Sequence, residues 1–221
     1  MDPRPNDAES IADDAESIAV DLRERLSASR VDVTHPLGAM TTYRVGGSAA
    51  VLVEVETQAD LRSMATFVAE RGFAVAVVGR GSNLLVADEG FDGIAIHLGE
   101  SLADIGDSPD GLIRIAASAS LPALARQLTA AGHSGFEWAV GVPGSAGGAV
   151  RMNAGGHGSD MAACVRSARL VDLQSAESLE WTARELGFAY RTSSVASHQV
   201  VVSVDLELAE GDPLVGQNAR G

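Results

Sequence analysis

The sequence contains no lysine, so its sixteen arginines are the only side chains that carry a permanent positive charge. They are outnumbered by 30 acidic residues, and the formal net charge is −14. Such a balance argues against a nucleic-acid partner, because nucleic-acid-binding surfaces are basic. Any permanently charged side chain that contacts an anion must therefore be an arginine.

Cysteine, aromatic residues and long apolar runs are also scarce. The single Cys164 excludes an internal disulfide and is typical of a reducing compartment, so we expect a cytoplasmic protein. No apolar run is long enough to cross a bilayer and no signal peptide is recognisable, so we expect no membrane partner. His133, His157 and His198 show neither metal-ligand spacing with Cys164 nor a carboxylate partner, and we expect no metal site.

Glycine, by contrast, is abundant and clustered. Residues 141–158 read Gly-Val-Pro-Gly-Ser-Ala-Gly-Gly-Ala-Val-Arg-Met-Asn-Ala-Gly-Gly-His-Gly, with seven glycines among eighteen residues. A linker would lack the apolar residues, and a core strand would not tolerate so many glycines. Backbone N–H groups in such turns form a ready site for a phosphate-bearing ligand. We therefore predict a ligand site here.

A shorter loop of the same kind, Gly79-Arg-Gly-Ser-Asn-Leu-Leu85, follows a predicted strand at 74–78. It lacks both the Gly-x-Gly-x-x-Gly spacing of a dinucleotide-binding turn and the Gly-Lys-Ser/Thr of a phosphate loop. Taken alone, it is read equally well as a plain turn or as a site. We expect the two glycine-rich segments to hold one phosphate-bearing ligand between them.

Strands and a few helices share the chain without regular alternation, which predicts an α+β fold of two lobes. We place the lobes at residues 30–100 and 101–209, with an unstructured tail at 210–221. Thr57 and Gly72 are typical of the two ends of a helix, and short strands are predicted at 84–87 and 93–97. Residues 1–29 favour a mobile, partly helical acidic tail; a helix docking on a partner is the alternative.

Five motifs in order resemble UDP-N-acetylenolpyruvoylglucosamine reductases, a family of flavoenzymes of peptidoglycan synthesis. The resemblance covers roughly residues 31–209 and implies a two-lobed FAD-binding fold of the PCMH type, with FAD between the lobes. It also implies that NADPH reduces the flavin, which then reduces the enol ether of a UDP-sugar substrate. The motifs are Thr42-Tyr-Arg-Val-Gly-Gly47, Gly79-Arg-Gly-Ser-Asn-Leu-Leu85, Gly141-Val-Pro-Gly-Ser-Ala-Gly-Gly148, Met152-Asn-Ala-Gly155 and Tyr190-Arg-Thr-Ser193.

The resemblance implies specific site residues. Arg191 is expected to contact the substrate carboxylate and stabilise the charge that builds there, which makes it the catalytic candidate. Tyr190 is expected to line the substrate site, and Arg44 is a further arginine that could reach a ligand. For FAD we expect contacts from Gly79, Arg80, Gly81, Ser82, Asn83, Leu84, Gly141, Val142, Pro143, Gly144, Ser145, Gly147, Gly148, Asn153 and Gly155.

The family pattern also includes a third, substrate-binding lobe with a serine that protonates the substrate. These 221 residues contain no Gly-Ser-Phe-Phe-like segment of that kind. We therefore expect impaired turnover, whether the sequence is a fragment, a truncated gene product or a degraded paralogue. Two alternatives stay open: a non-catalytic FAD-binding module, and another oxidoreductase of the same flavin-fold superfamily. Nothing in the sequence indicates an oligomeric state.

Overall fold

The computed structural model describes residues 11–102 and 105–211. Its α-helices are α1 (Ile11–Arg25), α2 (Gln58–Arg71), α3 (Leu121–Ala130), α4 (Ala146–Met152) and α5 (Ala183–Leu186). Its strands are β1 (Arg30–His35), β2 (Ala49–Val55), β3 (Val75–Val78), β4 (Phe91–Leu98), β5 (Ile105–Asp107), β6 (Ile113–Ala116), β7 (His133–Ser134), β8 (Gly155–Gly156), β9 (Ser159–Asp160), β10 (Val165–Asp172), β11 (Ser178–Thr182), β12 (Gln199–Leu206) and β13 (Ala209–Glu210).

The first sheet has four strands in the order β1-β2-β4-β3. β1 is antiparallel to β2, whereas β2 and β3 run parallel to β4. Near the end of the β3–β4 pair, Val78 lies opposite His97. The loop that follows Val78 therefore begins at the carboxyl edge of parallel strands, where open sheets place their ligand loops.

The second sheet has five strands in the order β11-β10-β12-β6-β5, and every neighbouring pair is antiparallel. Its apolar core includes Ile115, Leu170 and Val204, together with Leu124 of α3 and Val150 of α4. One sheet with parallel pairs and one antiparallel sheet, each with its own helices, confirm the predicted α+β class.

Helix α2 shows why the local sequence signals were reliable. The Thr57 hydroxyl accepts a hydrogen bond from the backbone N–H of Asp60 at 3.0 Å, which satisfies one of the free donors of the first turn. Gly72 ends the helix in the left-handed region at φ 67°. The buried face carries Leu61, Met64 and Phe67 against the first sheet.

The N-terminal segment is ordered where the structure describes it, and the expectation of a mobile tail is wrong for residues 11–29. Helix α1 buries Ile11, Ile18 and Leu22 in the same apolar cluster as the first sheet. The apolar face of this helix thus packs in the protein's own core. Residues 1–10 lie outside the described part of the chain.

A buried carboxylate, Asp60, fixes the chain between α1 and β1. It accepts hydrogen bonds from the backbone N–H groups of Ser27, Ala28 and Ser29 at 2.9–3.0 Å and from both serine hydroxyls. Burial opposes the charged form, but these hydrogen bonds outweigh it and lower the pKa of Asp60 to about 2. The sequence contains no short-range signal for this contact, because the partners lie more than thirty positions away.

Two further expectations are corrected. Residues 84–87 form no strand, although this short apolar run before a turn suggested one. Ala209 and Glu210, placed at the end of the second lobe and in the unstructured tail, form β13 and pair with Ser134 and His133. The rest of that tail, residues 212–221, lies outside the described residues.

Cys164 is buried, and burial raises the pKa of its thiol to about 12. No helix in residues 11–102 and 105–211 is long and apolar enough to cross a membrane.

Candidate functional site

A cavity of about 700 Å³ is lined by residues from both sheets. The first sheet contributes β3 and the end of β4. The second sheet contributes β12, and α4 and the residues after β6 complete the lining. The volume is typical of cofactor and small-molecule sites. Of the residues singled out in the sequence, the cavity is lined by Gly79, Arg80, Gly81, Ser82, Asn83, Leu84, Val142, Pro143, Gly144, Ser145, Gly147, Gly148 and Arg191.

The first loop, residues 79–85, leaves its backbone donors unpaired. Within the described residues, no N–H group from Arg80 to Leu84 donates a hydrogen bond to another protein group. Gly81 has φ 66°, and a Cβ there would collide with the carbonyl of Met40. The backbone is therefore bare and shaped by glycine, as a binding site for an anionic group requires.

The second segment uses most of its amides internally. The N–H groups of Ala146 and Gly147 donate at 2.9 Å to the carbonyls of Ala119 and Ala117, which lie after β6. The N–H of Gly148 donates to the hydroxyl of the α4 cap, Ser145, at 3.4 Å. From 142 to 148, all of them described residues, only Gly144 and Ser145 retain unpaired amides.

The two segments touch one another. The Ser82 hydroxyl donates to the carbonyl of Pro143 at 3.2 Å. A Cβ on Gly79 would lie 2.6 Å from the Ser145 hydroxyl, and one on Gly144 would lie 3.1 Å from the Ser82 hydroxyl. Glycine at both positions therefore lets the loops approach closely enough to place their free amides along one cavity.

Arg191 is held in a tight turn beside the cavity. Ala189 and Thr192 exchange backbone hydrogen bonds at 3.0 and 3.2 Å, which leaves Arg191 at the left-handed φ of 57°. Its guanidinium donates to the carbonyl of Gly155 at 3.0 Å and lies 5.7 Å from the ring centroid of Tyr190. The side chain is exposed, but its position is fixed by these contacts.

The cavity is positively charged within an acidic protein. Three arginines line it, Arg80, Arg151 and Arg191, and the carboxylate among its described lining residues is Glu100. The chain as a whole has a net charge of −14. An excess of cationic groups in one cleft of such a chain favours an anionic ligand.

Four of the expected residues do not line the cavity: Gly141, Asn153, Gly155 and Tyr190. Asn153 is buried, and its side chain bonds with Asp160, the Ala189 carbonyl and the Ala162 N–H at 3.0–3.1 Å. The Tyr190 side chain is 90% exposed. Asn153 and Gly155 thus contact the elements that hold Arg191, while Arg44 is exposed and also lies outside the lining.

Other lining residues were missed by sequence reasoning, namely His97, Ser118, Arg151 and Gln199. The Ser118 hydroxyl is buried without a hydrogen-bond partner among the described residues. The guanidinium of Arg151 is held by the carbonyl of Val195 at 3.0 Å. The position of Arg151 in the last turn of the glycine-rich helix was the one usable signal. His97 and Gln199 lie on ordinary strands, and Ser118 lies in the turn after β6.

The described residues contain no cluster of three or more His, Cys, Asp or Glu side chains that could hold a metal ion. One detail differs from expectation. His198 does have a carboxylate partner, since its Nε2 lies 3.3 Å from Oδ2 of Asp172. That pair joins β10 to the chain before β12 and lies outside the cavity lining.

Comparison with known proteins is consistent with this geometry. Residues 49–180 match the family model described as FAD binding domain. A UDP-N-acetylenolpyruvoylglucosamine reductase of Nostoc sp. is 41% identical over 180 residues, which cover 80% of this chain and 54% of that protein. The chain belongs to the UDP-N-acetylenolpyruvoylglucosamine reductase family. It spans about half the length of this relative.

The fold is also shared with solved structures, one of which is a reductase of the same family. The reductase of this name from Thermus caldophilus superposes with a TM-score of 0.71 at 32% identity, covering 86% of this chain and 65% of that one. A Physcomitrella patens protein, BBE-like 1, superposes with a TM-score of 0.59 at 16% identity, covering 86% and 43%. The second likeness shows the fold alone, and together they confirm the two-lobed flavoprotein fold of the reductase family.

The residues present fit FAD. Its pyrophosphate requires hydrogen-bond donors, and the unpaired amides of Gly81, Asn83 and Gly144 belong to residues that line the cavity. Side chains at the loop junction would close the space that glycine leaves open there. The unpartnered hydroxyl of Ser118 in the cavity wall offers a further hydrogen-bonding group for a ligand.

Proposed function

We propose that this chain binds FAD in the cavity between its two sheets and serves as the flavin-binding part of a UDP-N-acetylenolpyruvoylglucosamine reductase. The proposed reaction is the reduction of UDP-N-acetylglucosamine enolpyruvate to UDP-N-acetylmuramate with NADPH as electron donor. The observation that supports it best is the contact between the two glycine loops, which places the unpaired amides of residues 80–84, Gly144 and Ser145 along one cationic cavity.

In this proposal the backbone performs the task that lysine performs in many phosphate sites. The amides of residues 80–84, with those of Gly144 and Ser145, hold the pyrophosphate of FAD. Arg80 adds a charge from the same loop. Because these donors are fixed by the fold, little ordering is needed when the cofactor binds.

Arg191 is the residue that we assign to the chemical step. FAD, when bound, supplies the hydride chemistry. The guanidinium of Arg191 would contact the substrate carboxylate, where negative charge would build during reduction, and would stabilise that charge more in the transition state than in the ground state. Its tether to the Gly155 carbonyl keeps it in place without neutralising it.

A second candidate is an FAD-binding module without turnover. It is favoured by the extent of the match, which covers 54% of the Nostoc reductase. The rest of the Nostoc reductase lies outside the match, and a flavin site alone does not establish turnover. The two candidates share the flavin site and differ only in turnover.

The test uses the whole chain. Purified protein is titrated with FAD and followed by flavin fluorescence, then mixed anaerobically with NADPH and the UDP-enolpyruvyl sugar. Bound FAD that NADPH reduces and the sugar reoxidises, with UDP-N-acetylmuramate formed, supports the reductase. Bound FAD without product supports the module, and failure to bind FAD refutes both.

Replacing Arg191 separates binding from chemistry. We expect Arg191→Ala to retain FAD and to lower any turnover by about 100-fold or more, because one preorganised charged donor is lost. Arg44→Ala is the matched control, since Arg44 is exposed and does not line the cavity. Equal product formation by the two variants would remove Arg191 from the chemistry.

A further inference from the structure

His97 is a cavity residue to which the proposed reaction assigns no role. It lies near the end of β4, opposite Val78 of β3, the residue just before the first glycine loop. Its imidazole is partly buried in the cavity wall, and its Nδ1 lies 2.9 Å from the carbonyl oxygen of Val78. The ring is therefore held in one orientation next to the loop that offers its amides.

That contact determines which ring nitrogen carries the proton. A carbonyl oxygen only accepts hydrogen bonds, so Nδ1 must be the donor. In the neutral ring Nε2 is then an acceptor. No described group of the protein bonds to Nε2. His97 thus offers the cavity an acceptor whose ring geometry is set by the fold.

The polar groups along the cavity differ from one part to another. Unpaired N–H donors belong to the glycine loops, and the cations are Arg80, Arg151 and Arg191. At the end of β4, by contrast, the polar lining side chains are His97 and Glu100, and both accept hydrogen bonds. This part is suited to a portion of the ligand that donates hydrogen bonds and carries no negative charge.

Two uncharged portions of a flavin dinucleotide lie beside the phosphates and donate hydrogen bonds: the adenosine and the ribityl chain. Arg191, which we assign to the chemistry and therefore to the flavin end, lines the cavity from the chain between α5 and β12, whereas His97 lies on β4 of the first sheet. The end of β4 is therefore assigned to the adenosine, and FMN, which has the ribityl chain but no adenosine, tests the assignment. We propose that Nε2 of His97 accepts a hydrogen bond from the adenosine half of the cofactor and so makes the site prefer FAD to FMN. The inference rests on the proposed flavin site. It adds a residue that recognises the half of the cofactor remote from Arg191.

The decisive variant is His97→Asn. The Asn side-chain N–H₂ can occupy the position of Nδ1 and keep the bond to the Val78 carbonyl, while the acceptor at Nε2 is lost. His97→Leu loses both. We expect His97→Asn to weaken FAD binding about tenfold, as one ligand hydrogen bond implies, with FMN affinity and thermal midpoint unchanged.

Three measurements test this: titrations with FAD, titrations with FMN, and displacement of FAD by ADP. ADP should lose affinity for His97→Asn by the same factor as FAD, and comparing ADP with IDP tells whether the adenine amine or a ribose hydroxyl is the donor. His97→Asn binding FAD like the wild type would overturn the proposal. An equal loss for FAD and FMN would overturn it too, whereas wild-type protein that binds neither flavin refutes the underlying flavin site instead.

Discussion

The two glycine-rich segments look alike in sequence but use glycine for different purposes. In residues 79–85, glycine leaves a run of amides without protein partners. In residues 141–158, most glycines allow close packing: a Cβ on Gly147 would lie 2.9 Å from that of Ala117, and one on Gly155 would lie 2.5 Å from the Ser159 carbonyl. The first segment is built to meet a ligand, and the second chiefly to let α4 and its surroundings pack.

This difference separates two kinds of mutational effect. Changes at the junction of the loops should reduce cofactor affinity with little effect on the fold, whereas changes at the close-packed positions of α4 should reduce stability. Gly144 is the exception in the second segment, because its amide is unpaired and a side chain there would face Ser82.

The largest effect is expected from Gly144→Val. Its φ of 133° disfavours any side chain, and the new Cβ would press on the Ser82 hydroxyl and part the loops. We expect FAD affinity to fall by more than about 100-fold. Gly135→Val is the control, because Gly135 also has positive φ but its nearest neighbour lies 3.8 Å away. Full flavin occupancy in Gly144→Val would contradict the role of the junction.

Next in size is Gly147→Ala, which tests the packing role of the second segment. The added methyl group would lie 2.9 Å from the Ala117 Cβ, and we expect overpacking to lower the free energy of unfolding by about 1–3 kcal/mol. At the adjacent Gly148 the nearest atom is 3.4 Å away, so Gly148→Ala should be tolerated. Chemical denaturation measures both, and equal stabilities would argue against the distinction drawn here.

Asp60 of α2 lies outside both glycine-rich segments, and we expect it to affect stability through its charge. Its pKa is lowered from 3.8 to about 2, so its stabilising contribution is present above the unfolded pKa and is lost as the pH falls from about 4 to 2. By linkage this amounts to about 2 kcal/mol, which Asp60→Ala should remove together with the pH dependence. Asp21→Asn, which breaks an exposed pair with Arg71, should cost less than about 1 kcal/mol. A wild-type pH profile of unfolding in Asp60→Ala would contradict this.

The smallest effect is expected from Ser82→Ala. It removes the hydroxyl that donates to Pro143 between the loops but leaves the amide of residue 82 in place. We expect FAD affinity to fall about three- to tenfold, with an unchanged midpoint of thermal unfolding. A matching loss of stability would mean that the contact supports the fold and not the cofactor site.

Sequence reasoning succeeded where the controlling contacts are local. The ends of α2 follow from Thr57 and Gly72, and the glycine loops follow from their composition. It failed for α1, whose position depends on Asp60 in a later helix, and for residues 84–87, which have no strand partner. His97 escaped notice because its function as a cavity residue arises only when β4 is placed beside β3.

The buried Cys164 has a practical consequence. The thiolate is the form that attacks electrophilic thiol reagents, and it is scarce near neutral pH when the thiol pKa is about 12 and water is excluded. In the folded protein this sulfur should therefore stay inert, and its rate of alkylation should measure how often the core around Cys164 opens transiently. If a dinucleotide binds between the two sheets and stabilises the folded state, these openings should become rarer and the alkylation of Cys164 slower.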